Sequence, residues 1–260
     1  MEIYFTKSAQ ENANDYFNRA KKLVIKKEGA QKAIKELEKR LEKEQEKPSE
    51  EKKTRILKVQ KKEWYEKFHW FFTSNGLLAI GGRDAQQNEQ LNSKHFTEND
   101  LFFHAEIFGA SVVILKEGLK ASKEIREEVA QFAASYSSAW KDMLKSIDVY
   151  AMKREQVSKS TSKGSLGTGS FLLSGERDWY RNTQLSLVMF VKDNKLNTVP
   201  HVTFEKLKSE HIKHVKIIQG NQEKSEAAKR IANSLDFDDL DSIIRELPAG
   251  TFGIKIHNQE

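Results

Sequence analysis

From Ala9 to Leu41, apolar and small residues recur in alternating steps of four and three. They are Ala9, Ala13, Tyr16, Ala20, Leu23, Lys27, Ala30, Ile34, Leu37 and Leu41, and Lys27 alone is polar. This is the seam of a coiled coil. It predicts a first helix of about 40 residues, roughly 60 Å long. Ser8 is placed to cap that helix, with Glu11 completing a capping box. Gly29 is a weak point where the helix can kink, and Pro48 ends the run. Ser49 then caps a second helix through about Lys67, with Ile56, Leu57 and Val59 on its apolar face. Residues 1–67 therefore read as a helical hairpin arm.

Beyond Lys67 the pattern changes. Apolar runs from Phe68 to Ser74 and from Leu77 to Gly81 flank Asn75-Gly76, a pair that predicts a hairpin with a type I′ turn. Asp84 caps a helix running to about His95. Leu101–His104 and Ser111–Lys116 read as strands, with Gly109 breaking the chain between them. A helix from Ala121 to about Lys145 carries the small run Ala133-Ala134-Ser135, which implies tight packing on a sheet. Val149–Val157 reads as a strand, Lys159–Gly169 as a Gly/Ser/Thr/Lys loop and Phe171–Leu173 as a strand. After Gln184, strands (LSLVMFV, HVKIIQ, TFGIKIH) alternate with helices over Glu223–Leu235 and Asp238–Leu247. The fold class expected is α+β: an α/β core domain with a mixed sheet, plus an N-terminal helical coiled-coil arm. The expected divisions are 1–67 for the arm, 68–182 for the core domain, and 183–260 for an α/β segment completing or flanking it.

Composition narrows the functions. With no Cys there is neither a disulfide framework nor a thiolate metal site. No apolar run approaches the ~20 residues of a membrane span, and the N-terminus has no secretory pattern, so a cytoplasmic protein without membrane contact is expected. Net charge is +6, but residues 19–67 hold 18 Lys and Arg against 10 Asp and Glu. The positive field thus belongs to the arm, and it suits either a phosphate-rich partner or a solvated coiled-coil surface.

Two polar boxes follow strand-like runs: Gly81-Gly82-Arg83-Asp84-Ala85-Gln86-Gln87-Asn88-Glu89 and Phe103-His104-Ala105-Glu106. Arg83 suits a phosphate or a base, or an internal pair with Asp84 or Glu106. Asp84 is expected to be a cap, and Gln87 and Asn88 either read RNA or line an exposed helix face. His104 is a buried hydrogen-bonded histidine, an RNA contact, or half of an acid–base pair with Glu106. Lys153, Arg154, Lys159 and Lys163, joined by Lys141 and Lys145, can form a groove along a nucleic-acid backbone. Trp179 and Tyr180, flanked by Arg177 and Arg181, are candidates for base stacking. The expected RNA-contacting set is Arg83, Gln87, Asn88, His104, Lys153, Arg154, Lys159, Lys163 and Arg177. Asp84, Glu106 and Gly109 are expected to be structural. No catalytic residue, metal or cofactor is expected.

Several motifs in order carry a resemblance. These are WF-x-x-x-x-G-x-L-x-I-GGRDA-x-QNE from Trp70, HA-E-x-x-GAS from His104, the Ser138-Ala139-Trp140 end of the Ala/Ser-rich helix, and Gln156-Val157-Ser158-Lys159 before Gly169-Ser170-Phe171. Together they resemble the NFACT-R domain of the nuclear export mediator factor / fibronectin-binding-protein-like family. The segment SAQENANDYFNRAKKLVIKKEGAQKAI from Ser8 resembles the start of that family's coiled-coil arm. KIIQGNQEKSEAAKRIANSL and DDLDSIIRELPAG resemble the tail of archaeal members. The resemblance implies an RNA-binding role in ribosome-associated quality control, with rRNA or tRNA on stalled large ribosomal subunits as partner. The family's N-terminal domain has no counterpart here, so its Asp-Arg tRNA-contact motif is not carried over to Arg83-Asp84, and a stand-alone archaeal-type form is expected. Glu106 stands where the family's commonest residue after His-Ala is Asp. The alternatives are a protein-interaction or dimerisation module working through the arm, and a hydrolase acting on an RNA or tRNA ester.

Overall fold

The computed structural model describes residues 8–45, 63–161, 164–207 and 212–257, and the chain divides into two compact units at residues 60/61. In the first unit, helix α1 (Ala9–Gln45) is continuous through Gly29. Its start is the expected capping box: the Ser8 amide donates to Glu11 Oε2 at 2.7 Å, and the Glu11 amide to Ser8 Oγ at 3.2 Å. Leu23 and Ile34 of the seam are exposed. The expected second helix lies mostly outside the described residues, and its described end, 63–67, is a turn.

In the second unit, β1 (His69–Phe72) and β2 (Leu78–Gly81) form the expected hairpin. Its turn differs from expectation, since Gly76 has φ +85° but Asn75 is not left-handed. The Thr73 carbonyl accepts from the Gly76 amide at 2.8 Å, and the Thr73 amide donates to the Leu77 carbonyl at 2.9 Å. That is a longer turn closed by a left-handed glycine rather than type I′. Helix α2 (Ala85–Gln90) continues as a π turn to His95, followed by β3 (Leu101–Ala105) and β4 (Val113–Leu115). The long helix expected over 121–145 is broken into α3 (Lys123–Ser135) and α4 (Ser138–Lys141). Ser137 interrupts it: its Oγ donates to the Ala134 carbonyl at 2.7 Å and accepts from the Ala139 amide at 3.3 Å.

Strand β5 (Ser146–Lys153) leads into short pairs, β6 (Val157–Ser158) with β9 (Leu172–Leu173) and β7 (Ser160–Thr161) with β8 (Gly164–Ser165). Next come β10 (Asp178–Gln184), β11 (Leu187–Lys192), β12 (Lys195–Pro200), α5 (His201–Lys206), β13 (His214–Gln222), α6 (Lys224–Leu235), α7 (Leu240–Glu246) and β14 (Phe252–His257). The larger sheet runs β1-β2-β4-β3-β5-β10 and the smaller β12-β11-β13-β14. Every described pairing is antiparallel, which corrects the expected mixed sheet. No helix here carries the chain between two parallel neighbours.

Strand alternation sorts the larger sheet into two faces. Leu101, Phe103 and Ala105 of β3, with Val149 and Ala151 of β5, belong to a core that also holds α3 and the inner residues of the smaller sheet. The small residues Ala130, Ala133 and Ala134 let α3 lie close to β3, β5 and β10. Phe102, Tyr150 and Met152 face the other way, into a second cluster with Leu91, Phe96 and Val157. Fully buried Glu128 of α3 fastens the hairpin tip. It accepts from the Ser74 amide at 2.8 Å, from Thr203 at 3.0 Å and from Lys206 at 2.8 Å.

Candidate nucleic-acid interface

The first polar box is a folding device. A Cβ on Gly82 would lie 2.2 Å from Asn88 Oδ1 and 2.9 Å from the Asn88 amide nitrogen. That close approach lets buried Asn88 accept from the Val112 amide at 3.0 Å, pinning α2 to the chain entering β4. Asp84 caps α2, accepting from the Gln87 amide at 2.8 Å. Gln87 accepts from the Arg83 amide at 3.1 Å and donates to the Lys67 carbonyl at 3.3 Å.

Arg83 turns inward. Its Nε donates to the Lys67 carbonyl at 3.2 Å, and its Nη2 to the Phe68 carbonyl at 2.9 Å and to Glu246 Oε1 at 2.7 Å. Nη1 bonds the Arg245 carbonyl. The internal partner is thus Glu246, the last residue of α7, rather than Asp84 or Glu106. His69 completes the junction: its Nδ1 lies 3.3 Å from Glu246 Oε2, and its ring stacks on Tyr136 at 3.9 Å. Burial pushes the His69 imidazole down to about 4, outweighing the Glu246 hydrogen bond, so it is neutral at pH 7. Burial works to raise the Glu246 carboxyl, but His69 and Arg83 together hold it below its ordinary value.

The second box divides its groups. His104 Nδ1 lies 3.3 Å from the Tyr150 hydroxyl, and burial lowers its pKa. Glu106, past the end of β3, pairs with Arg177 at 2.9 Å. Different partners thus claim imidazole and carboxylate. Gly109 turns the chain with φ +80°.

Both boxes nonetheless line one cleft of about 440 Å³. Gly82, Asp84, Ala85 and Asn88 form one side, and Phe102, His104 and Tyr150 of the sheet form another. Thr168–Phe171 closes a third, with Gly169 packed on Ala85. On the rim stands Phe108, 98% exposed.

Of the expected basic residues Arg83 lines this cleft, and those of the strand and loop beyond Lys141 do not converge on it. Lys159 is tied to Glu89 and to the carbonyls of Gly167 at 2.7 Å and Ser170 at 3.2 Å. Arg154 bonds the Val157 carbonyl at 2.8 Å and lies over the Phe96 ring. Lys163 is outside the described residues. Lys145 precedes β5 and Lys153 ends it, about 25 Å apart along an extended chain. Lys153 and Arg177 meet instead in a separate groove with Arg126.

A cation–aromatic ladder crosses the sheet edge. Arg181 lies 3.9 Å over Trp179, and Arg177 lies between Trp179 at 5.5 Å and Tyr150 at 4.4 Å. Tyr150 pairs with His104 on one side and Trp179 on the other, so the ladder runs into the cleft. A bulge between Tyr180 and Thr183, with Asn182 at φ +50°, swings Arg181 to Asp148 at 2.6 Å. Stacked guanidinium and aromatic planes are surfaces on which unstacked bases settle.

Residues 67–175, which include the whole cleft lining, match the family model of the NFACT protein RNA binding domain. The chain belongs to the NFACT-R family. It is 40% identical over 214 residues to the archaeal Rqc2 homolog aRqcH of Methanocaldococcus jannaschii, covering 79% of this chain and 31% of that protein. It is 35% identical over 189 residues to the ribosome quality control complex subunit NEMF homolog of Drosophila melanogaster (69% and 18%). The human subunit NEMF is likewise 35% identical, over 178 residues (66% and 16%). The chain thus spans less than a third of the length of each of these relatives. In this NFACT-R chain, sequence reasoning missed Glu246, Tyr150 and Phe108. Phe108-Gly109 looks like an ordinary strand end, and nothing in the pattern marks its ring as exposed.

Proposed function

We propose that this chain binds RNA in ribosome-associated quality control, contacting rRNA or tRNA on the large ribosomal subunit in the cytosol. The observation that carries the proposal is the Arg181–Trp179–Arg177–Tyr150 ladder beside a cleft lined by family-matched residues. It offers flat aromatic and guanidinium surfaces together, with Arg177 held by Glu106 and Arg181 by Asp148. The names of the relatives, a ribosome quality control subunit and Rqc2 homologs, support the setting. The split of His104 from Glu106 supports a binding rather than a hydrolytic role. Exposed Leu23 and Ile34 on the α1 seam support the coiled-coil reading of the arm, through which a second contact or self-association would act.

Cosedimentation with purified large subunits, and filter binding of tRNA, test this reading across a salt series. Binding should occur at low salt, and log affinity should fall linearly with log salt concentration. Failure of the folded protein to bind subunits, tRNA and isolated rRNA at low salt would refute it.

A further inference from the structure

The cleft between the two boxes has features that sheet-surface binding alone does not use. Phe108 is 98% exposed, yet its backbone is fixed. Its carbonyl accepts from Ser138 Oγ at 2.6 Å, Gly109 holds φ +80°, and Ala110 is buried. The ring therefore stands on an anchored backbone at the rim, contributing nothing to the core. Beneath it the walls are aromatic and hydroxyl-bearing: Phe102, Tyr150 and Phe171 alternate with Ser111, Thr168 and Ser170. The one imidazole in the cleft, His104, is held toward neutrality by burial. Arg177, paired with Glu106, lays its guanidinium over Tyr150 beside that wall.

We propose that this cleft takes one unstacked nucleobase of RNA, extruded from its neighbours and stacked against Phe108, while the Arg177–Trp179–Arg181 ladder carries the adjoining nucleotide. The proposal rests on the RNA-binding reading above and adds a selectivity to it. The bases of an A-form duplex are stacked and their deep groove excludes side chains, so a recess of this kind is reached only by an unpaired base. A protein side chain is the less favoured occupant, because the cleft lies wholly within the match to an RNA binding domain and opens onto a cation-bearing ladder.

The test uses the full chain and fluorescence anisotropy. The probes are labelled single-stranded oligoadenylate and oligouridylate, and a blunt RNA duplex of the same length. Phe108→Ala should melt like the unaltered protein, because the ring is solvent-exposed. It should weaken single-strand binding by about five- to a hundred-fold, the range of one lost stacking contact, and leave duplex binding unchanged. Phe108→Trp should retain single-strand binding. If the unaltered protein binds single strands and Phe108→Ala binds them equally well, the cleft assignment falls while the RNA reading stands. An equal loss on duplex and single strand also overturns it, as does loss of a protein partner with RNA binding intact. If the unaltered protein binds none of these RNAs, the cleft assignment falls, and the RNA reading is decided separately by binding to large subunits, tRNA and rRNA.

Discussion

Arg83 sits in the most conspicuous polar box of the chain, and the structure makes it a clamp. Four hydrogen bonds leave its guanidinium, three to main-chain carbonyls and one to Glu246. Both charged side chains are largely buried, at 16% and 17% exposure. Arg83→Ala would leave the Glu246 carboxylate buried with neutral His69 as its hydrogen-bond partner and Lys224 as the remaining nearby cation. Losing one partner of a buried pair costs about 3–5 kcal/mol. The lower end applies here, because the Lys67 and Arg245 carbonyls are near solvent and can rehydrate. Replacing both charges, with Arg83→Met and Glu246→Leu, should recover most of that loss, since neither charge is then stranded. Urea unfolding of Arg83→Met, Glu246→Leu and the double variant closes the cycle. A coupling within about 0.5 kcal/mol of zero would refute the clamp. Below its unfolding midpoint, Arg83→Ala should bind RNA like the unaltered protein, because the guanidinium is already engaged.

The other predictions test separate parts of the fold and the interface. His69 has a folded value of about 4, below its ordinary 6.5, so between those values the unfolded chain binds more protons. Stability should therefore fall as pH drops from 6.5 toward 4, by up to roughly 3 kcal/mol at about 1.4 kcal/mol per pH unit. Urea midpoints for His69→Gln should show a flatter profile in that window, and an unchanged slope would remove His69 as the cause. Gly82→Ala should destabilise by about 1–3 kcal/mol, because its Cβ meets the Asn88 side chain and main chain; a melting temperature equal to the parent's would contradict this. Combined Trp179→Ala and Arg181→Ala should weaken RNA binding by about ten-fold or more, and binding curves overlapping the parent's would exclude the ladder.

What could be read from the sequence was whatever local spacing determines. Helix α1 with its capping box at Ser8, the Asp84 cap of α2 and the small-residue face of α3 all appear where local spacing puts them. Hidden features were those that depend on distant pairing. Arg83 and Glu246 are separated by 163 positions, so no window around the first box could show that its arginine is already bound. Antiparallel register likewise decides the interface. Because His104 pairs with Tyr150 and Tyr150 with Trp179, three residues from three strands line up across one face, and two arginines fold onto them. Each of those residues alone looks like a core aromatic or a surface charge. The same logic applies to the basic loop residues. Lys159 and Arg154 sit in a charged stretch, but the loop must close over the second core cluster, and their side chains bond the carbonyls and the Glu89 carboxylate that make the closure possible. Phe108, which the fold leaves almost fully exposed, is therefore the first residue to test for an RNA contact.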